Sequence, residues 1–157
     1  MDFFISSYIG GKFSEEKAQT AINLILSIKK HFPNSRIILI DSVPNQRICE
    51  LCDFYVCFKQ VENYDYHGMY HLEKLKSMIK IGELLNTKRL ISLCYDYIIN
   101  EQVAQKIKEY NEEMDKEKID LVSSSWRVDK NCSYFPSICT GFGIYNFEAF
   151  KIGRAHV

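Results

Sequence analysis

The sequence carries no excess charge of either sign: Lys and Arg total 20, and Asp and Glu total 20. Without a net field, long-range attraction recruits neither nucleic acid nor an anionic membrane surface, so no nucleic-acid partner is expected. No apolar run approaches the roughly 20 residues that cross a bilayer, and no transmembrane segment is expected. The opening MDFFISSYIGG has no basic n-region and reads as a strand, not as a secretory leader. Six cysteines without such a leader point to reduced thiols and a cytoplasmic location. Internal repeats, linkers and low-complexity stretches are also missing, which at 157 residues leaves one domain.

A composition 46% hydrophobic and 13% aromatic supports a packed core. Strand-like and helix-like stretches alternate through it. Residues 2–8 (DFFISSY), 36–40 (RIILI), 54–58 (FYVCF), 90–93 (LISL) and 119–123 (IDLVS) are rich in β-branched and aromatic side chains. Between the first two, Ala18, Ala21, Ile22, Ile25, Ile28 and Phe32 recur at helical spacing, with Ser14 as the expected N-cap. A strand, a 17-residue helix and a strand form a βαβ unit with parallel strands. A short helix follows Pro44, 60–69 reads as loop, and 71–85 reads as a helix with Leu72, Leu75, Ile79, Gly82 and Leu85 inward. Residues 101–118 form an amphipathic helix. Residues 138–145 are strand-like, and Asn146 is placed to cap a helix from Phe147. This alternation predicts an α/β three-layer sandwich with a mainly parallel central sheet.

The chain is organised around 89–100 (RLISLCYDYIIN), a strand apolar enough to be covered on both faces and ending in an acidic turn. Asp41 ends the second strand as Asp96 ends this one. The carboxyl ends of such strands are where open α/β sheets bind ligands. Either aspartate alone reads as a cap on the next helix; together they suit a nucleotide, one toward ribose or base and one toward a metal on the phosphates. Cys49-x2-Cys52 and His67-x3-His71 fit a zinc spacing on paper. Against it, the cysteines fall in a short helix, 54–58 reads as a core strand, and the neutral charge does not suit a nucleic-acid finger. Cys57, Cys132 and Cys139 read as small buried hydrophobes.

These stretches together resemble the nucleotide-sugar-binding half of GT-A-type, family-2-like glycosyltransferases. The first strand and its loop (Phe3 to Tyr8), IILIDS at 37–42, LISLCYDYIIN at 90–100 and TGFGIYNFEAF at 140–150 follow that family's order. The resemblance implies transfer of a sugar from a nucleotide-diphosphate sugar to a glycan or lipid-linked acceptor, as in polysaccharide biosynthesis. It places nucleotide binding at Ser6, Ser7, Tyr8, Asp41, Tyr95 and Asp96; of Lys74, Lys76 and Lys80, which precede the motif strand and could reach a diphosphate as point charges, Lys76 is the one assigned. It implies Mn²⁺ or Mg²⁺ on Asp96 and an acceptor side at Gly141 and Gly143; Trp126 and Arg127, in the irregular stretch after a strand, are assigned to that side as a sugar-stacking ring and an anion partner, or else pack as a lid over the core. Cys94 stands where the family's Asp-x-Asp motif has its first carboxylate. A neutral thiol is a poor partner for these hard cations. A nucleotide-binding domain that has lost catalysis is therefore one alternative, and a zinc-stabilised interaction module is another. The catalytic base is unknown and is expected beyond this chain.

The expected domain is 1–151. Residues 152–157 (IGRAHV) match the translation of a common sequencing adapter and are expected to be non-native. Resequencing the locus with an independent library is expected to replace these six residues; genomic codons for them would refute the expectation.

Overall fold

A computed structural model describes residues 1–7, 9, 13–58, 67–123 and 142–148, with the side chains of 67–73 and 123 outside the description. The strands β1 (Asp2–Ser6), β2 (Arg36–Asp41), β3 (Phe54–Cys57), β4 (Arg89–Cys94), β5 (Leu121–Ser123) and β6 (Gly143–Asn146) form one sheet in the order β3-β2-β1-β4-β6-β5. β1 runs parallel to β2 and β4, and β2 parallel to β3. β6 is antiparallel to both β4 and β5. The expected three-layer, mainly parallel sandwich is present, with one reversed strand near an edge.

The alternation of side chains along each strand divides the core in two. Phe3 and Ile5 of β1, Ile37 and Leu39 of β2, and Ile91 and Leu93 of β4 face one way. There they pack on α1 (Ser14–His31), through Ala18, Ala21, Ile25 and Ile28, and on α4 (Glu101–Glu117), through Ala104, Ile107 and Met114. Phe4, Ile38, Ile40 and Leu90 face the other way, with Met78 of α3 (His67–Leu84), Tyr145 and Phe147. All five residues of β1 are buried, as a strand covered on both faces requires.

At the amino edge, one buried carboxylate joins three elements. Arg36 Nε and Nη2 donate to the two oxygens of Asp2 at 2.8 and 2.6 Å. Thr87 Oγ1 donates to Oδ2 at 2.7 Å, and Arg36 Nη1 donates to the Leu85 carbonyl at 2.9 Å. A planar guanidinium meets a carboxylate through two parallel bonds, which fixes direction as well as distance. The starts of β1 and β2 and the end of α3 are thereby held together.

Several local expectations are corrected. α1 begins at Ser14 itself: Phe13 occupies the cap position with φ 64°, and no side chain caps this end. α3 begins at His67, so part of the expected 60–69 loop is helical. Cys57 is exposed, because β3 is the outermost strand and is covered less than the centre. Other caps follow expectation or the usual Asn preference. Asn45 Oδ1 accepts from Ile48 N at the start of α2 (Gln46–Cys49), Asn100 Oδ1 from Val103 N at 2.9 Å, and Asn146 Oδ1 from Glu148 N at 3.2 Å.

Gly82 of α3 makes a close approach. A Cβ there would meet the buried Phe147 ring at 2.3 Å. Gly to Ala inside a helix ordinarily gains about 1 kcal/mol; here overpacking reverses the sign. Gly82→Ala is expected to destabilise by about 1–3 kcal/mol. Urea unfolding, read as a lower midpoint at unchanged slope, checks it; a raised midpoint would refute the packing.

Candidate functional site at the carboxyl edge

β1, β2 and β4 end side by side. Ser7 N donates to the Ile40 carbonyl at 3.1 Å and Tyr95 N to the Ser6 carbonyl at 3.0 Å, so the three strand ends are tied through the backbone. Parallel pairing is what brings Ser6, Ser7, Asp41, Tyr95 and Asp96, far apart in sequence, to one edge.

Asp41 is fully buried. One carboxylate oxygen accepts from the Ser7 hydroxyl and from Ile9 N, the latter at 3.1 Å. The other accepts from Ser42 N at 2.6 Å and Val43 N at 3.1 Å. A carboxylate offers about four lone-pair sites, and here four internal donors engage it. Asp41 therefore shapes the β1–α1 loop and the turn after β2, and its negative charge acts on the site through space. Beside it, Ser42 Oγ is buried without a hydrogen-bond partner among the described residues. Leaving such a hydroxyl without a partner costs about 1–3 kcal/mol. Tyr55 of β3 donates its hydroxyl to the Val43 carbonyl at 2.6 Å, and burial raises its pKa above the ordinary tyrosine value.

The turn after β4 carries Cys94, half-buried, Tyr95, half-buried, and Asp96, exposed. Tyr97 N donates to the Cys94 carbonyl at 3.1 Å and closes the turn. Burial raises the Tyr95 pKa, and the charge of Asp96 adds to this.

Among the described residues of α3, the buried lysine facing Asp41 and Cys94 is Lys74, whereas Lys76, assigned from the sequence, is exposed. Lys74 is only 5% exposed. Two residues on is about 200° round a helix, which carries Lys76 to the opposite side. The signal was the four-residue series Lys74, Met78, Gly82, all buried. The inward face expected from Leu75 and Ile79, which are only half-buried, is thus rotated by about one position. Burial lowers the Lys74 pKa to about 8, against an opposing pull from Asp41 and Cys94.

Gly143 opens β6 opposite Ser92, close to the same edge, and a Cβ there would meet the Tyr145 ring at 2.5 Å. On the α4 side, a cavity of about 240 Å³ is lined by Tyr97, Gln102, Val103, Lys106, Ile107, Tyr110 and Phe142. The rings of Tyr97 and Phe142 stack there at 5.8 Å. Tyr8, Trp126, Arg127, Gly141, Cys132 and Cys139 lie outside the described residues.

Among the described residues no complete donor set for either metal reading is present, and the side chains of His67 and His71 lie outside the description. For Mn²⁺ or Mg²⁺, the turn after β4 supplies one exposed carboxylate, Asp96, and the Cys94 thiol, which is too soft a ligand. The Lys74 ammonium repels a dication placed beside Cys94. For zinc, burial pushes the Cys52 thiol up to about 12, which opposes the thiolate zinc needs. No group of three or more His, Cys, Asp or Glu among the described residues is placed to hold a metal ion.

No family model matches the chain, and no curated protein matches its sequence. Solved structures do match its fold. A cytidylyltransferase from Leptospira borgpetersenii serovar Hardjo-bovis aligns with TM-score 0.64 and 8% identity, over 99% of this chain and 64% of that one. A glycosyltransferase involved in the glycosylation of the major capsid of PBCV-1 aligns with TM-score 0.50 and 14% identity, over 99% and 64%. CMP:2-keto-3-deoxy-manno-octonic acid synthetase complexed with CTP aligns with TM-score 0.54 and 9% identity, over 98% and 76%. The chain thus spans about two-thirds of the first two. The fold is the Rossmann-like α/β sandwich that these nucleotidyl- and glycosyltransferase structures share. The GT-A likeness read from the sequence widens accordingly, since the similarity takes in both kinds of transferase.

The Lys74 shift has a testable sign. Between about pH 8 and the ordinary value of 10.5, the unfolded chain binds more protons at this lysine than the folded one. Wild-type stability therefore rises with pH through that window relative to Lys74→Met. The stability of Lys74→Met minus that of wild type is expected to fall by about 3 kcal/mol across it. Chemical unfolding of both proteins at either end of the window measures this, and a constant difference would refute the burial of the charge.

Proposed function

We propose that the chain is the nucleotide-binding part of a transferase that uses a nucleotide-activated sugar, as the sequence resemblance implies. The observation that carries this reading is the meeting of Ser42, Lys74 and the Cys94-Tyr95-Asp96 turn around the buried Asp41, at the carboxyl edge of a Rossmann-like sheet. Such an edge is where open α/β sheets receive ligands. Ser6 and Ser7 border the place for base and ribose, Lys74 offers positive charge to phosphate, and Tyr95 and Asp96 close the far side. The acceptor approaches along the β6 side, near Gly143 and the aromatic cavity. Asp41 acts as a positioning residue, because its oxygens hold the loop that shapes the base pocket. No step is assigned to Mn²⁺ or Mg²⁺, and a catalytic base is not among the described residues of this edge.

Two transfers suit this arrangement. In glycosyl transfer, an acceptor hydroxyl attacks the anomeric carbon, the bond to the β-phosphate oxygen breaks, and a nucleoside diphosphate leaves. In nucleotidyl transfer, an acceptor oxygen attacks the α-phosphorus of a nucleoside triphosphate and pyrophosphate leaves. The second reading is favoured by the similarity to a cytidylyltransferase and to a synthetase holding CTP; the first is favoured by the order of sequence motifs.

Thermal shift with UDP, GDP, CDP, CTP and the corresponding nucleotide sugars tests both. A ligand at about 100 times its Kd stabilises by about 2.7 kcal/mol. One base is expected to raise Tm, and Ser42→Val is expected to reduce that rise. Preference for the diphosphate and its sugars supports glycosyl transfer, and preference for CTP supports nucleotidyl transfer. A cooperative melt unmoved by every nucleotide would overturn the proposal.

A further inference from the structure

Helix α4 carries more apolar surface than it fully buries. Val103, Ile107, Tyr110 and Met114 recur along it at spacings of four, three and four. Ile107 and Met114 are 1% and 2% exposed in the core, whereas Val103 and Tyr110 are half-buried. These two line the cavity of about 240 Å³, together with the stacked rings of Tyr97 and Phe142. That volume exceeds the ~150 Å³ in which an apolar protein cavity holds a benzene ring.

The lining has an inside and an outside. Ile107 and Phe142, 1% and 5% exposed, form its floor. Gln102 and Lys106, both exposed and one helical turn apart, form its rim. Lys106 donates to Glu109 at 2.8 Å, so its charge is already met. Walls of carbon select against a sugar ring, whose several hydroxyls would be buried with few partners. They suit a hydrocarbon group, aliphatic or aromatic, with any polar part of the same molecule left outside.

The cavity also lies next to the candidate site. Tyr97 N closes the turn that carries Cys94, Tyr95 and Asp96, and Phe142 directly precedes Gly143, which pairs with Ser92 of β4. The same turn leaves Ile98 77% exposed, so apolar side chains stand both in the cavity and beside it.

Resting on the transferase reading above, we infer that the acceptor is amphipathic. Its hydrocarbon group occupies the cavity between α4 and Phe142, and its polar end, with the attacking oxygen, lies toward the strand ends. The cavity holds one end of the acceptor and is no part of the nucleotide site. Each methylene taken from water into such a place tightens binding by about fourfold until the space is filled.

The test is an amide NMR titration of the protein with methyl, butyl and hexyl β-D-glucopyranoside, below micelle-forming concentrations. The hexyl compound is expected to bind at least about tenfold more tightly than the methyl compound, with butyl between. The largest shifts are expected at Tyr97, Val103, Ile107, Tyr110 and Phe142. Val103→Phe, which fills the cavity, is expected to weaken the hexyl compound at least about tenfold. Leu84→Gln, which removes an apolar side chain 73% exposed on α3, is expected to leave it unchanged. Prior saturation with the nucleotide selected by thermal shift is expected to change hexyl affinity by less than about twofold. Should Val103→Phe fail to fold, the wild-type shift map still decides. Equal affinity for methyl and hexyl compounds, largest shifts elsewhere, unchanged binding in Val103→Phe, or competition with nucleotide would overturn this inference. Nucleotide binding without any alkyl glycoside binding would overturn this inference alone. Absence of any nucleotide effect would overturn the proposed function, and the assignment of an acceptor with it.

Discussion

The fully buried carboxylate of Asp41 is the constraint on which the functional edge depends. An ionised group removed from water is tolerable only when its lone pairs are met. The chain meets them with one hydroxyl and three backbone amides drawn from two separate loops. Those donors belong to the ends of β1 and β2, so satisfying the charge also sets the relative positions of the loops. The Asp2–Arg36–Thr87 cluster does similar work at the opposite edge, with a guanidinium in place of amides. The central strands are thus held at both ends by polar contacts of fixed direction, and along their length by apolar packing that has little direction of its own.

Much of this was legible in the sequence. Runs such as RIILI and LISL are apolar without interruption, and only a doubly covered strand uses such a run. The spacing of Ala18, Ala21, Ile25 and Ile28 is helical with no competing period, and the intervening helix forces parallel pairing. What could not be read were contacts set by tertiary packing. Strand order is not encoded in any local pattern, and the reversal of β6 depends on residues beyond its own four. The rotation of α3 illustrates the limit. Leu75 and Ile79 compete with Met78 for the inward face, and the sheet resolves the contest in favour of the face that includes a lysine.

The site shows the same division. Both strand-end aspartates were apparent because strands end where apolar runs stop. Their different fates were not: Asp41 is enclosed and saturated, while Asp96 is exposed. The neighbours decide this, since Asp41 lies between β1 and β3 and Asp96 lies on a turn beyond its strand. The substitution of a thiol at Cys94 was plain in the sequence, but its meaning depends on what stands behind it. Behind it stands the buried Lys74, so the charge balance of the turn is set by tertiary neighbours and not by the motif alone.

The position of β1 between β2 and β4 has a consequence for synthesis. Asp2 pairs with Arg36 on one side and with Leu90 on the other. The second partner lies 88 residues further along (90 − 2). At ribosomal rates of about 5–20 residues per second, that edge stays open for on the order of ten seconds. During this time the strand DFFI, apolar after its first residue, presents unpaired amides and carbonyls to whatever is nearby. Nascent chains of this protein therefore have a built-in period of vulnerability, closed only when LISLC emerges, and holdase chaperones have a defined segment to shield until then.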